Sequence, residues 1–279
     1  MKKKNNVCVT VFMIYVLCYV FRIWEYFVLR TDQTMIGEAF IHKIIGILIL
    51  LGAMKYFRYS FEEIGIKKQG AIKYTIGGLA FGLSIYVIGY AAEVGICMAT
   101  GSFQNVRFYV SSYAVDTTVA MDTGWIFLVI CIVGNIINVM MEEGLFRGLF
   151  QRMLLSRYSF VVSALISSVL FGFWHIMGPL RNYVDGVSSL NGTVANVLML
   201  LISSGLIGFK FAMMSRLEGA LYMGMADHFV NNAIVNLVHV TTDTGVDELM
   251  FARITIAQTI SFIIILLVFL KKRSLRNSL

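Results

Sequence analysis

A succession of nearly pure hydrocarbon runs, each about as long as a bilayer is thick, constrains this chain most. A helix needs about 20 apolar residues to cross a hydrocarbon core of ~30 Å. Eight stretches meet that length or approach it: about 7–29, 36–57, 74–98, 124–156, 160–177, 194–214, 217–240 and 251–270. In lipid a lone segment must satisfy its own backbone hydrogen bonds, which an α-helix does and an open strand does not. The expectation is an all-α, polytopic integral membrane protein with about eight transmembrane helices. Composition agrees, with 58% hydrophobic and only 14% charged residues, against about 25% charged in soluble domains.

The organisation follows from the runs. Residues 1–123 hold helices one to three with their loops, 124–240 hold helices four to seven as a core, and 241–279 hold the last helix and a basic tail. The polar stretch 99–123 reads as an external loop, and Gly178-Pro179, with the only proline, closes the fifth span. The apolar start continues past Arg22 without a small-residue cleavage site, so an uncleaved first span is expected rather than a signal peptide.

The net charge of +7 does not point to nucleic acid. The cations sit in short clusters beside apolar runs (Lys2–Lys4, Lys67 and Lys68, Lys271–Arg273), which is how cytoplasmic loops of a membrane protein are marked. The opposite loops carry Asp116, Asp122, Asp185, Asp243, Asp247 and Glu248. Both termini are therefore expected in the cytoplasm, which is consistent with an even span count. No glycine-rich phosphate loop is present, so no nucleotide is expected. Cys8, Cys18, Cys97 and Cys131 lie in or beside apolar runs without a CxxC pair and read as buried hydrophobes.

Against this background the stretch Glu142-Glu143-Gly144-Leu145-Phe146-Arg147 stands out, because it ends the apolar run 125–141. A charge in such a run costs about 2.5–3.5 kcal/mol even on insertion scales. The histidines are few: His42, His175, His228 and His239. If spans four and five form an antiparallel pair turning near Arg157, Glu142 and His175 both lie about 22 Å of helix rise from the turn and share one depth. With that turn in the cytoplasm, this depth falls in the outer half of the core. Phe171 precedes His175 by one turn, and Asn232 follows His228 by one turn on the same face. Glu143 and Arg147 are spaced i,i+4, and that pair reads as structural, fixing the rotation of the helix. A carboxylate that takes a proton from water, a histidine that orients it and donors for an oxyanion are the parts of a hydrolytic site. His42 beside Lys43, and His239, read as structural.

Glu142-Glu143-x-x-x-Arg147, Phe171-x-x-x-His175 and His228-x-x-x-Asn232 together resemble the three motifs of the type II CAAX prenyl endopeptidases and their bacterial relatives, the CPBP or Abi intramembrane proteases. The resemblance spans about 124–240, with no departure at the motif positions, and the loop stretch 61–68 resembles a short upstream motif of the same proteins. It implies an intramembrane endopeptidase with its site in a cavity among helices four to seven. Glu142 and His175 would activate water, and His228 and Asn232 would stabilise the oxyanion; Glu143, Arg147 and Phe171 would support them. No cofactor is expected on this reading. The alternative is zinc on Glu142, His175 and His228, an acceptable donor set although HExxH is absent.

The expected partners are a lipid bilayer and a peptide or membrane-protein substrate. A bacterial cell membrane is the expected location, and a signalling peptide, bacteriocin leader or protein tail the expected substrate. Two other classes fit parts of the pattern: a non-catalytic immunity or regulatory protein of the same fold, and a proton-coupled transporter, for which no inverted halves are visible.

Overall fold

The computed structural model describes residues 6–34, 38–111 and 121–277. The Lys2–Lys4 cluster and Asp116 lie outside the described residues. The fold is helical and polytopic, as the apolar runs require. The helices are α1 (Val7–Trp24), α2 (Ile41–Phe57), α3 (Ala71–Thr100), α4 (Trp125–Glu142), α5 (Gln151–Leu155), α6 (Phe160–Trp174), α7 (Met177–Val184), α8 (Leu190–Glu218), α9 (Tyr222–Leu237) and α10 (Met250–Asn277).

Among the described residues, six helical segments are long and apolar enough to cross a membrane: Val7–Gln33, Ala71–Thr100, Trp125–Leu155, Phe160–Val184, Leu190–Glu218 and Met250–Ser274. The other two expected spans are α2 and α9, of 17 and 16 residues. At 1.5 Å per residue these reach only about 25 Å. In α9 the sequence also places Asp227, His228, Asn231, Asn232 and Asn236.

Three local expectations are revised. The fifth span does not close at Gly178-Pro179. After α6 the chain turns through His175 and Ile176 and resumes as α7, with Pro179 buried in its first turn. There a missing N–H leaves no helical bond unmade. The seventh span ends at Leu237, not Val240, and becomes strand β4 (Val238–Thr242). β4 pairs antiparallel with β1 (Phe103–Phe108) inside the stretch expected to be loop, and β2 (Val110–Ser111) pairs with β3 (Met121–Asp122). The β-branched run Val-His-Val-Thr-Thr favours a pleated surface over a helix.

The chain divides into two compact units, each discontinuous in sequence: residues 1–69 with 137–221, and residues 70–136 with 222–279. In the first unit, α1, α2, α6 and the Glu142–Leu155 helix pack around Tyr15, Leu50, Met141, Phe146, Phe150, Phe171 and Trp174. Between lipid-embedded helices the hydrophobic effect offers little, so close packing and polar contacts must hold them. Small residues allow the approach: a Cβ on Gly172 of α6 would stand 2.5 Å from the Leu201 carbonyl oxygen of α8. The loop after α2 is anchored to this unit. Ile64 is buried, and Gly65, at φ +93°, accepts at its carbonyl from the Leu221 amide at 3.0 Å. The resemblance noted for the 61–68 stretch thus falls on a turn that plugs the unit.

The second unit is built on α3, which meets α9 and α10. A Cβ on Gly78 would lie 2.4 Å from the Met223 carbonyl oxygen, and one on Gly89 3.2 Å from Ala257 Cβ.

Candidate active site

The motif of paired glutamates sits on a break in helix geometry. α4 runs as an α-helix to Glu142; Glu143–Phe150 winds as a π-helix, and α5 resumes the α-helix. π segments are rare and cost regular hydrogen bonding, and they recur at functional sites. One of the carbonyls of this segment is met from another helix: Ser167 Oγ of α6 donates to the Phe146 carbonyl at 2.7 Å.

Both carboxylates are buried, at 2% exposure for Glu142 and 1% for Glu143. Their partners differ. Arg147 Nη1 lies 3.2 Å from Glu143 Oε1, the pair that the i,i+4 spacing predicts. The guanidinium of Arg147 is itself fixed, 3.9 Å from the Phe171 ring centroid and 5.4 Å from that of Phe211, with Nε donating to the Gly208 carbonyl at 3.4 Å. Gly208 is required for that fit, since a Cβ there would stand 2.8 Å from Arg147 Nη2. Neither Phe211 nor Gly208 carries a signal in the sequence beyond being apolar or small.

Glu142 turns to a different helix. Trp174 Nε1 of α6 donates to Glu142 Oε1 at 2.9 Å. The residue next to His175 therefore lies level with Glu142, in keeping with the helix-rise argument. His175 caps the C-terminus of α6 and is half-buried. Its Nδ1 is 2.8 Å from the Phe171 carbonyl oxygen, and the two rings meet edge to face at 4.6 Å. A carbonyl only accepts, so Nδ1 carries the proton in this contact and a neutral ring holds its lone pair on Nε2. A base with that tautomer is suited to orienting or accepting a proton from water. Trp174 is the group that sequence reasoning left without a role; its signal was a lone Trp inside the motif Phe171–His175.

His228 and Asn232 belong to the second unit, on α9. His228 is buried at 4% exposure. Asn232 Oδ1 accepts from Asn231 Nδ2 at 2.9 Å. Asn231 Oδ1 in turn accepts from the Tyr86 hydroxyl at 2.5 Å and from Gln258 Nε2 at 2.8 Å. Asn231 therefore ties α3, α9 and α10 together and orients the amide of Asn232, leaving its NH₂ as the donor group. Among the described residues, neither unit gathers three His, Cys, Asp or Glu side chains as a metal ion needs.

No curated protein matches the chain. A family model does, over residues 124–234. Its description is "Type II CAAX prenyl endopeptidase Rce1-like". Those residues include Glu142, Glu143, Arg147, Phe171, His175, His228 and Asn232, so over that segment this integral membrane protein is similar to the Rce1-like type II CAAX prenyl endopeptidases.

Proposed function

We propose that this protein is an intramembrane endopeptidase that hydrolyses a peptide bond with water activated by Glu142 and His175. The observation that carries the reading is the family match over 124–234 with every motif side chain present. The 124–240 segment is the catalytic core in this reading.

In the first step Glu142 takes a proton from water as the water oxygen bonds to the scissile carbonyl carbon. The C=O π pair moves to oxygen, and His228 and Asn232 donate to that oxyanion; a single such donor is worth about 2.7–4 kcal/mol. In the second step the oxyanion pair re-forms C=O, the C–N bond breaks, and the proton passes to the leaving nitrogen. His175 orients the water through its Nε2 lone pair. Glu143 and Arg147 hold the rotation of the π segment.

No metal is needed in this scheme. Were zinc used, Glu142, His175 and His228 would be its ligands, and chelation is the direct check. The substrate is a peptide presented in extended form at a membrane. Prenylated CAAX tails are one class, suggested by the family's description, and unlipidated membrane-protein tails are the other. The loop charges favour cytoplasmic termini, and the short loops suit a bacterial cell membrane.

The test uses the purified full chain in vesicles with two quenched fluorescent peptides, alike except that one bears a prenylated Cys-aliphatic-aliphatic-X end. The expected result is cleavage of at least one by the wild type and a loss of about 10²–10⁴-fold in Glu142→Gln. Cleavage by Glu142→Gln at the wild-type rate would sink the mechanism.

A further inference from the structure

The hydrolysis outlined above leaves unused a buried cluster on the first two helices, and that cluster leads to Glu142. Glu25, Arg22 and His42 are all buried, at 0%, 6% and 1% exposure, and Arg22, Glu25 and His42 lie outside the matched segment 124–234. The Glu25 carboxylate sits at the start of α2 and accepts from the His42 amide at 2.6 Å and the Ile41 amide at 2.9 Å. Amides at a helix start favour such an anion. Glu25 also accepts from the His42 ring, whose Nδ1 is 2.5 Å from Oε2. The other ring nitrogen, Nε2, is 3.0 Å from Arg22 Nη1. Arg22 can only donate, so Nε2 accepts and Nδ1 carries the ring proton. His42 is thereby a neutral bridge between an anion and a cation.

Arg22 then covers Trp174, its Cζ 4.5 Å from the indole centroid. The His42 ring lies 5.8 Å from the same indole, and Phe146 meets it edge-on at 5.8 Å. Trp174 is fully buried. Its only polar atom is a donor, and that donor is spent on Glu142 Oε1. If the cluster only neutralised buried charge, Glu25 and Arg22 would suffice, with no reason to clamp an indole whose N–H meets the motif carboxylate.

We propose that Trp174 is a positioning residue for Glu142, and that Arg22, held by His42 and Glu25, fixes the indole so that its N–H sets the rotamer of the Glu142 carboxylate. This rests on the reading of Glu142 as the water-activating base. Small misplacement of a reacting group costs rate rather than binding, about 10²-fold for ~1 Å. The consequence belongs in kcat.

The experiment has a spectroscopic arm and a kinetic arm. The chain has three tryptophans, and Trp24 and Trp125 are exposed, so Trp24→Phe with Trp125→Phe leaves Trp174 as the sole indole. In that background the ultraviolet resonance Raman band that reports indole N–H hydrogen bonding should move to the weak-bond position on Glu142→Ala and stay in place on Glu143→Ala. An unmoved band on Glu142→Ala overturns the proposal, and this arm needs no substrate. In the kinetic arm, on the two quenched peptides, Trp174→Phe should lower kcat about 10- to 100-fold with KM within about twofold. Benzothienylalanine at position 174 keeps the ring shape without the N–H and should reproduce that loss. Arg22→Leu should show a smaller loss in the same parameter, partly restored in Arg22→Lys. Full kcat in both position-174 variants beside an inactive Glu142→Gln overturns the positioning role alone. Full activity in Glu142→Gln instead overturns the reading of Glu142.

Discussion

Each compact unit buries a chain of charges, and the two are closed differently. In the second unit Arg253 is wholly buried between two carboxylates, Glu93 of α3 and Asp247, with Nη2 2.7 Å from Asp247 Oδ2. Asp247 also meets His239 Nδ1 at 3.2 Å, while His239 Nε2 is 3.2 Å from the Tyr109 carbonyl oxygen and its ring stacks on Tyr109 at 3.8 Å. Every member faces a partner of opposite character within the cluster, and none of these residues belongs to a motif. In the first unit the chain from Glu25 passes through His42, Arg22 and Trp174 and ends on a motif carboxylate. Buried charge by itself therefore says little about chemistry. What separates the two is whether the last polar bond stays within a cluster outside the motifs or reaches a motif carboxylate.

That contrast can be broken from either end. The largest effect is expected on activity: Glu142→Gln should lose about 10²–10⁴-fold in hydrolysis with its melting temperature nearly unchanged, whereas Asp247→Asn should keep its turnover and melt lower. The next is on stability. Arg253→Ala leaves two carboxylates buried without their cation and should cost about 3–5 kcal/mol, read by thermal denaturation in detergent; replacing Glu93, Asp247 and Arg253 together by apolar residues should recover much of it.

A smaller effect is expected from Gly208→Ala, about 1–3 kcal/mol. Its new methyl would crowd Arg147 Nη2 and Phe171 Cδ1, at 2.8 and 3.1 Å, and Arg147 cannot swing away without leaving Glu143.

The second unit should also carry an acid transition. Burial pushes the Asp247 carboxyl up, but the hydrogen bonds from His239 and Arg253 outweigh it and hold the group below the ordinary aspartate range. A carboxyl depressed in the folded state contributes stability above its unfolded value of ~4, lost as pH falls below that value toward the folded one. The melting temperature should drop across that interval in the wild type and more weakly in Asp247→Asn. The smallest effect belongs to chelation: phenanthroline should leave cleavage by the purified chain unchanged, and a loss restored by zinc would replace the metal-free scheme.

Much of the molecule was legible before its fold. Apolar runs of bilayer length imposed helices, because lipid leaves a segment no other way to satisfy its backbone. The i,i+4 spacings placed Glu143 against Arg147 and Phe171 against His175, since helical rise and pitch fix neighbours one turn apart. The matched rise from the Arg157 turn put the Phe171–His175 stretch level with Glu142. Tertiary structure alone decided that Trp174 of α6 meets Glu142, that Arg147 is seated between Phe171 and Phe211 over Gly208, that Glu25, Arg22 and His42 form a brace, and that 103–108 pairs with 238–242. The reason is common to the first three. Which faces of two helices meet depends on rotation and fine packing, and in a chain apolar on every side hydrophobicity does not distinguish one face from another.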